Sequence, residues 1–454
     1  MAEKIKNALQ SPYVVPCVFL FAFLFWLAEF TLACISLLAL FVAAILLFCD
    51  DPKNIFCPVI YAGFFVKDIV VESNWAVYAV CIGIAAASFI VFAVRHIIKR
   101  VKSGKGVRLG KLFFPLVVLD VAFMLGGIIG NFNVGAFFAT AGFCAVMLLL
   151  YFIAVNFTEN LGEYLAFLFV CGAAYIIVQR SCYNLKEFGE IKEIFKTEWT
   201  AAEPPNTAAV FVALGAAASL ALGVNRKHGY LMLIPFSVFT FYLITLCCRG
   251  VIISATITLT PLFVYSYVKS REKKGFIITL LSVLAVFVVL ELTTHVGREA
   301  VKKVIEKIKQ AGSSGRTGEN GLWAWCIAKF KEYPIFGYGF ISKDGPVPGI
   351  RPGVEYYIHA HNTVLQWAVS CGVFGLLCSV WFYFEKYKLI FLGFKENAYL
   401  SCFAIIIAMS GMVDQAAAMD PFVYLLPLVV LAAIENLKRI KEAEPVKTAA
   451  AVAA

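Results

Sequence analysis

Two histidines and an asparagine stand together in the C-terminal third of the chain, in the segment His359-Ala360-His361-Asn362. Histidine is the side chain best suited to accept or guide a proton near neutral pH, so His361 is a candidate general base. A structural alternative also fits: His361 caps the helix that follows or lies in a lipid headgroup layer. The residue types are compatible with both interpretations.

A metal site is the weaker interpretation of the same segment. Only Asp344 and Glu355 lie near His359 and His361 in the sequence to complete a zinc site. The 14 cysteines lie mostly inside apolar runs and show no metal-ligand spacing, so we interpret them as small core residues. We predict no metal site.

The histidines end a long polar stretch, residues 292–361, and a connection of this length is uncommon unless it has a function. Apolar residues recur at helical spacing opposite lysines between residues 297 and 309, which predicts an amphipathic helix at the membrane surface. A second helix is predicted from Thr317 to Tyr333, ended by Pro334. The glycines and prolines from Gly337 to Gly353 then predict an irregular, shaped loop.

The rest of the chain consists of apolar runs that must hold this loop. Of all residues 61% are apolar and 15% charged, against about 45–50% and about 25% in soluble domains. Because the runs are long and do not alternate with polar residues, we predict an all-α, polytopic membrane helix bundle of about 12–14 spans, not a β-barrel. The predicted spans are 13–28, 31–49, 55–70, 75–94, 112–129, 134–155, 163–179, 207–223, 230–247, 251–268, 275–291, 362–384, 398–416 and 421–436.

Charge predicts the orientation of this bundle. Cytoplasmic termini place most of the 39 Lys and Arg residues in short cytoplasmic loops, above all the basic segment from Arg95 to Lys111. The loop 292–361 is then external. We interpret the net charge of +10 as a record of topology and anionic-lipid contact, not of nucleic-acid binding.

The residues around His361 resemble the bacterial O-antigen ligase and O-antigen polymerase superfamily. His361-Asn362, nine residues, then Gly372 and Gly375 match the pattern H-[N/S/Q]-x9-G-x-x-G. Short motifs around this pattern also fit the family, over about residues 236–377. They are Ser314-Gly-Arg316, Trp323, Pro334-Ile-Phe-Gly-Tyr-Gly339 and His361-Asn-Thr-Val-Leu-Gln366. The N-terminal spans are similar only in being hydrophobic.

The resemblance implies a glycosyltransferase that takes a glycan from a polyprenyl (undecaprenyl) diphosphate, with neither a nucleotide sugar nor a metal or other cofactor. Its acceptor would be a lipid, a polysaccharide or a protein. The resemblance carries the family's membrane-proximal arginine to Arg249, its loop arginine to Arg316 and its essential histidine to His361. Cys248 stands where a serine commonly precedes the first arginine.

The residue chemistry is consistent with these implied roles. Guanidinium groups bind a diphosphate leaving group bidentately, and His361 would deprotonate the acceptor hydroxyl for an inverting, in-line attack. The alternative for Arg249 is snorkelling to headgroups or pairing with Glu291 or Asp414. The candidate substrate-binding residues are Asn362, Gln366, Tyr338, Trp323, His359 and Arg180. The alternative role of Asn362 is to cap the helix that follows it. The alternative role of Tyr338 and Trp323 is packing within the loop.

Other interpretations remain at this point. A polysaccharide polymerase of the same superfamily shares every motif. A lipid-linked oligosaccharide flippase also has twelve to fourteen helices, but it should show two related halves and short loops. A scaffolding protein leaves the shaped loop unexplained. Asp120, in the middle of a predicted span, must face the bundle interior or be protonated.

The predicted organisation places N-terminal spans in residues 1–235, a ligase-like core in 236–384 with its catalytic loop at 292–361, C-terminal spans in 385–436 and a disordered cytoplasmic tail in 437–454. We expect a multi-pass protein of the bacterial cytoplasmic membrane. Its expected partners are the bilayer, the lipid-linked donor and the acceptor.

Overall fold

The computed structural model describes residues 2–65, 71–104, 106–132, 134–188, 205–224, 226–309, 321–339, 358, 360–413 and 426–437. Within these ranges the regular structure is helical, and the predicted all-α class is confirmed. The helices are α1 (Ala2–Gln10), α2 (Val14–Leu27), α3 (Thr31–Phe48), α4 (Phe56–Ile60), α5 (Ala62–Phe65), α6 (Val71–Lys102), α7 (Phe113–Asn131), α8 (Val134–Phe157), α9 (Leu161–Phe188), α10 (Pro205–Gly223), α11 (Leu233–Thr245), α12 (Arg249–Lys269), α13 (Lys273–Thr294), α14 (Val296–Lys309), α15 (Leu322–Glu332), α16 (Thr363–Glu396), α17 (Ala398–Val413) and α18 (Leu426–Leu437).

All but one of the predicted spans coincide with a helix. By length and apolar content, 7 helices of the described residues can cross a membrane, or 8 when the bent pair α1–α2 is taken as one span. Further apolar helices, among them α17 and α18, are shorter. The predicted polytopic helical bundle is therefore confirmed.

The predicted span 55–70 is the exception. The described part of this segment consists of a 3-10 turn, Lys53–Ile55, followed by the short helices α4 and α5, which are separated at Tyr61. Tyr61 is fully buried, and its ring packs against Phe19 and Phe211 at centroid distances of 4.9 and 4.7 Å. Burial of this ring accompanies a break that uniform hydrophobicity does not reveal.

The internal contacts divide the chain into two compact units. The first unit comprises Met1–Arg108, Asn156–Cys248 and Ala255–Val301. Its centre is the Ala-rich helix α10, whose small side chains let α9 approach closely. An added Cβ at Gly215 would lie 3.0 Å from the carbonyl oxygen of Phe169. Close packing of small residues is a common way for membrane helices to associate.

Basic residues surround one carboxylate in the first unit, just after α3. Lys6 of α1 and Lys99 of α6 both contact Asp50, at 2.5 and 3.0 Å, and hold the pKa of that carboxyl well below its usual range. Lys99 belongs to the predicted cytoplasmic segment Arg95 to Lys111. The contacts therefore join three chain segments that the charge pattern assigns to the same side.

The second unit comprises Leu109–Val155, Arg249–Ser254 and Lys302–Ala454. The start of α7 is held by α8 and α18. Tyr151 accepts a hydrogen bond from the Leu112 amide (3.0 Å) and donates one to Glu435 (2.8 Å), which also accepts from the Lys111 amide. These bonds supply partners to amides at the start of a helix, which have none inside it. Thus the start of α7 is anchored to two other helices of the same unit.

Candidate functional site

The second unit holds most of the predicted site residues that the structure describes. His361 and Asn362 precede α16, Gln366 lies in its first turn, and Arg249 is the first residue of α12. Trp323 belongs to α15, and Tyr338 lies shortly after it. Two predicted residues, Arg316 and His359, lie outside the described residues.

The start of α16 fixes the backbone of His361. The side chain of Asn362 accepts a hydrogen bond from the Leu365 amide (3.0 Å), which confirms the helix-cap role. His361 has a φ of 50°, in the left-handed region that few residues other than glycine and asparagine adopt readily. Its side chain is half-buried. This conformation, together with the cap at Asn362, fixes the backbone from which the imidazole projects.

The residue before His361 is also held on both of its polar backbone atoms. The indole Nε1 of Trp323 donates to the Ala360 carbonyl (2.9 Å), and the Ala360 amide donates to Oε1 of Gln366 (2.8 Å). Gln366 is fully buried, and its Nε2 donates to Ser370 Oγ (2.8 Å). This geometry favours a positioning role for Gln366 over contact with a sugar.

Tyr338 lies in a hydrophobic cluster beneath this segment, with Leu322, Cys326, Ile358 and Val369. The Tyr338 ring is 3% exposed, and Lys329 Nζ lies 4.7 Å from its centroid. This placement agrees with the packing alternative for Tyr338. Burial raises the pKa of the Cys326 thiol to about 12, which makes this cysteine a poor nucleophile.

Helix α16 is broken at Gly372, where φ is 64° and ψ is −161°. Residues 334–339 run past the break and bond to both of its sides. The amides of Tyr338 and Gly339 donate to the carbonyls of Val369 and Ser370 (2.7 and 3.1 Å). On the other side, Val373 and Phe374 donate to the carbonyls of Pro334 and Ile335 (2.8 and 3.0 Å).

These four bonds replace those that the helix loses at the break, because buried backbone groups need partners. The first part of α16 is thereby held against the second, and Trp367 Nε1 donates to the Tyr383 hydroxyl (3.1 Å) across the break. The segment Pro334 to Gly339 thus connects the two parts of a broken helix through its backbone hydrogen bonds. These residues hold the start of α16, and with it the backbone of His361, against the second part of the helix.

Glycines of α7 leave space for the backbone of residues 334–339. A Cβ added at Gly126 would lie 2.7 Å from the Phe336 carbonyl oxygen, and one at Gly130 would lie 2.6 Å from the Cα of Tyr338. Such distances leave no room for a side chain. The backbone of residues 336–338 therefore packs directly against α7.

We expect Trp323→Phe to destabilise the segment that precedes α16. The change keeps an aromatic ring but removes the donor to the Ala360 carbonyl, and a buried acceptor without a partner costs about 1–3 kcal/mol. The measurement is the melting temperature and the transfer rate of the purified protein. Trp325→Phe is the matched control, because it keeps a ring against Tyr338 on the same helix.

Arg249 begins α12 after a sharp turn. Cys247 has a φ of 53°, and Cys248 is extended at the N-cap position. The Arg249 side chain is half-buried. Five residues further along, Ser254 shares a hydrogen bond with Ser410 of α17 (3.2 Å between the hydroxyl oxygens). This bond ties the first turns of α12 to the end of α17.

The same end of α17 holds α16. Thr363, the first residue of α16, donates from Oγ1 to the Gly411 carbonyl (2.7 Å). Ser410 and Gly411 are consecutive, so the starts of α12 and α16 are attached to neighbouring residues of one helix. Arg249 lies five residues before Ser254, about 7.5 Å along the axis, and His361 lies two residues before Thr363.

This arrangement places a cation and an imidazole beside two helix N-termini. The unpaired amides at the start of a helix carry partial positive charge and bind anions, phosphates in particular. A guanidinium adds rigid bidentate donors. The described residues can therefore bind an anionic group and present a proton acceptor on one framework.

A comparison with protein families gives a match over part of the chain. Residues 234–380 match the O-antigen ligase family model. The predicted resemblance is thus confirmed over this segment, which begins with α11, contains α12 to α15 and ends within α16. The match supports a membrane enzyme of the O-antigen ligase or polymerase type. No curated protein sequence matches the chain significantly.

The O-antigen ligase segment contains all the predicted site residues except Arg180. Arg180 lies within α9 of the first unit, although the predicted span ends just before it, at residue 179. It is 1% exposed, and it donates a hydrogen bond to the Tyr242 hydroxyl. The helix continues to Phe188, so Arg180 falls on a buried helical face and contributes to packing there.

Glu291 is one of the two carboxylates predicted as an alternative partner of Arg249, and it contacts the helix that follows it. The Glu291 carboxylate accepts from the Arg298 amide (3.2 Å) and so caps the start of α14. Asp414, the other predicted partner, lies outside the described residues.

Several residues outside the predicted set also support the O-antigen ligase segment. Ser254, Ser370 and Ser410 are buried hydroxyls whose contacts are described above. Asp120 of α7 is buried, contacts Cys144, and leaves Oδ2 without a hydrogen-bond partner among the described residues. It faces the interior, as predicted. The sequence signals these buried contacts only by placing serines within apolar spans. This signal does not identify the partner of each serine.

Proposed function

We propose that this membrane enzyme transfers a glycan from a polyprenyl diphosphate, undecaprenyl in bacteria, to an acceptor hydroxyl at the external face of the cytoplasmic membrane. One observation carries the proposal. Arg249 and His361 stand at the starts of α12 and α16, and both starts are attached to Ser410 and Gly411 of α17. The match over residues 234–380 supports the same class of reaction.

Arg249 would bind the leaving group. When the bond between the anomeric carbon and oxygen breaks, the diphosphate gains negative charge, which a guanidinium stabilises through two parallel hydrogen bonds. The amides at the start of α12 add to this field. Donors held in place before the reaction are the most effective kind, because they need no reorganisation as charge develops. Arg316 would be the second cation.

His361 would act on the acceptor. A neutral imidazole takes the proton of the acceptor hydroxyl as the oxygen attacks the anomeric carbon on the face opposite the diphosphate, so the configuration inverts. The glycan is already activated by its diphosphate, and the proposed step uses neither a nucleotide sugar nor a metal. The contacts of Asn362 and Ala360 hold the backbone on both sides of His361 for this step.

Three of the remaining candidates, Asn362, Trp323 and His359, would bind the sugar. The cap uses the side-chain oxygen of Asn362, and its amide nitrogen can donate to a sugar hydroxyl. Trp323 is half-buried, so part of its ring surface can stack on a sugar face while Nε1 stays bonded to Ala360. His359 would join the same sugar site. We assign Tyr338 and Arg180 to packing, because both are buried.

The experiment compares reconstituted wild-type protein with Arg249→Ala, supplied with an undecaprenyl diphosphate glycan and an acceptor. We expect the Arg249→Ala rate to fall by about 10²–10³-fold, the effect of removing one such electrostatic donor. Arg249→Lys should recover only part of the rate, because an ammonium lacks the planar fork. Product formation is followed by mass spectrometry.

Arg271→Ala is the matched control, since Arg271 is an exposed arginine in the turn after α12. Full transfer by Arg249→Ala, or an equal loss in both variants, contradicts the proposal. Two acceptor arms distinguish the family's activities: a ligase uses a lipid or protein acceptor, whereas a polymerase extends a second lipid-linked glycan. A flippase would move the donor across the bilayer and form no product in either arm.

A further inference from the structure

Helix α14, Val296–Lys309, carries an exposed apolar stripe. Val301 is 49% exposed and Ile305 is 47% exposed, and the two residues lie one turn apart. The sequence pattern predicted an amphipathic helix here, and the helix is confirmed. The unexplained feature is that these apolar side chains face away from the protein.

The opposite edge of the apolar face is the one that contacts the protein. Ala300 is 6% exposed, and its carbonyl oxygen lies 3.8 Å from the Cys247 Sγ. Successive residues of a helix are rotated by about 100°, so Val301 and Ile305 follow Ala300 around the axis toward the outside. The contact with Cys247 therefore fixes which side of α14 is turned outward.

The charges of α14 are sorted around this stripe. Arg298, Lys309 and Lys302 lie within about 20–60° of Ile305 around the helix axis, whereas Glu306 and Glu299 lie about 100–120° away. All five side chains are exposed. Cations thus border the outward apolar stripe directly, and the carboxylates point away from it.

The position of α14 follows from the helix before it. The span α13 ends at Thr294, and His295, with a φ of 56°, makes the turn. Glu291, in the last turn of α13, then caps the start of α14 through the Arg298 amide. Because α14 begins directly where an apolar span ends, it starts at the boundary between hydrocarbon and headgroups.

We propose that α14 is a docking surface for the anionic phospholipid headgroups of the leaflet in which α13 ends. Val301 and Ile305 enter the acyl boundary, and Lys302 and Lys309 extend their charged ends to the phosphates. Arg298 borders the same stripe, with its Nε 3.8 Å from a carboxylate oxygen of Glu291. Apolar stripes bordered by Lys and Arg bind anionic interfaces in this way. A soluble acidic protein would be a poorer match, because the stripe lies at lipid depth.

The test measures hydrogen–deuterium exchange of residues 298–309 in the full-length protein, in nanodiscs of phosphatidylcholine alone or mixed equally with phosphatidylglycerol. We expect exchange to be at least about tenfold slower in the anionic nanodiscs, since each cation near such a surface strengthens its binding. Lys302→Gln with Lys309→Gln should remove most of this difference. Neither donor nor acceptor is present, so the result is independent of the proposed glycan transfer.

Lys303→Gln with Lys331→Gln is the matched control. It removes the same charge from exposed positions that do not border the stripe, and it should keep the slow exchange. Equal exchange in the two lipids overturns the proposal. An equal loss of protection in both double variants also overturns it. The same holds if a soluble acidic protein, added to the neutral nanodiscs, slows exchange as much as the anionic lipid does.

Discussion

His361→Asn is expected to lower the glycan transfer rate by about 10²–10⁴-fold while leaving the folded protein intact. This is the usual contribution of a positioned general base. Asparagine is the right replacement because it tolerates the left-handed backbone that His361 adopts, with φ at 50°, better than alanine does. The variant therefore removes the imidazole without disturbing the start of α16. Transfer is measured in proteoliposomes under saturating donor and acceptor.

A second histidine provides the control. His295 also has a left-handed backbone, with φ at 56°, and lies exposed at the end of α13. His295→Asn should leave transfer within about twofold of wild type, because surface changes rarely have large effects. Near-normal transfer by His361→Asn, with unchanged melting, would refute the proposed role of His361. A large drop in its melting temperature would show instead that His361 is structural.

Gly372→Ala is expected to destabilise the protein strongly. The backbone at Gly372 has φ 64° and ψ −161°, a region that is almost exclusive to glycine and costs other residues about 1–3 kcal/mol. An added Cβ would also lie 2.5 Å from the carbonyl carbon of Ile335 and 2.7 Å from the Gly337 amide nitrogen. Moving these backbone atoms adds a cost of about 1–3 kcal/mol and disrupts the bonds of residues 334–339.

The measurement is the melting temperature and the yield of monodisperse protein after purification. Gly127→Ala is the matched control, because a Cβ at Gly127 of α7 meets nothing within 4 Å and alanine favours a helix. This control should melt at or slightly above the wild-type temperature. If Gly372→Ala melts with the control, residues 334–339 do not support a broken helix as described.

The sequence predicted the fold well because long apolar runs have few structural options in a membrane. Span positions such as 31–49 and 275–291 differ from α3 and α13 by a few residues. The same uniformity hides the interruptions. The run 55–70 is apolar throughout its first part, so nothing in its hydropathy predicts the break at Tyr61, which is packed by residues distant in sequence. Helix length was therefore overestimated where packing interrupts a run.

The site was predictable in part, for a similar reason. The start of α16 and its cap follow from a local pattern, Asn362 before an apolar run, and the structure confirms both. The break at Gly372 does not follow from local sequence, because it depends on backbone groups of residues 334–339. Nor does the burial of Tyr338, since an aromatic residue beside glycines fits a sugar platform as well as a packed cluster. Such contacts are set by tertiary packing.

A structure of the protein in nanodiscs with bound undecaprenyl diphosphate glycan tests the central claim most directly. We expect the diphosphate within hydrogen-bonding distance, about 3 Å, of the Arg249 guanidinium at the start of α12. The anomeric carbon should face the His361 imidazole. A diphosphate bound away from Arg249, or a glycan whose anomeric carbon is remote from His361, would contradict the account.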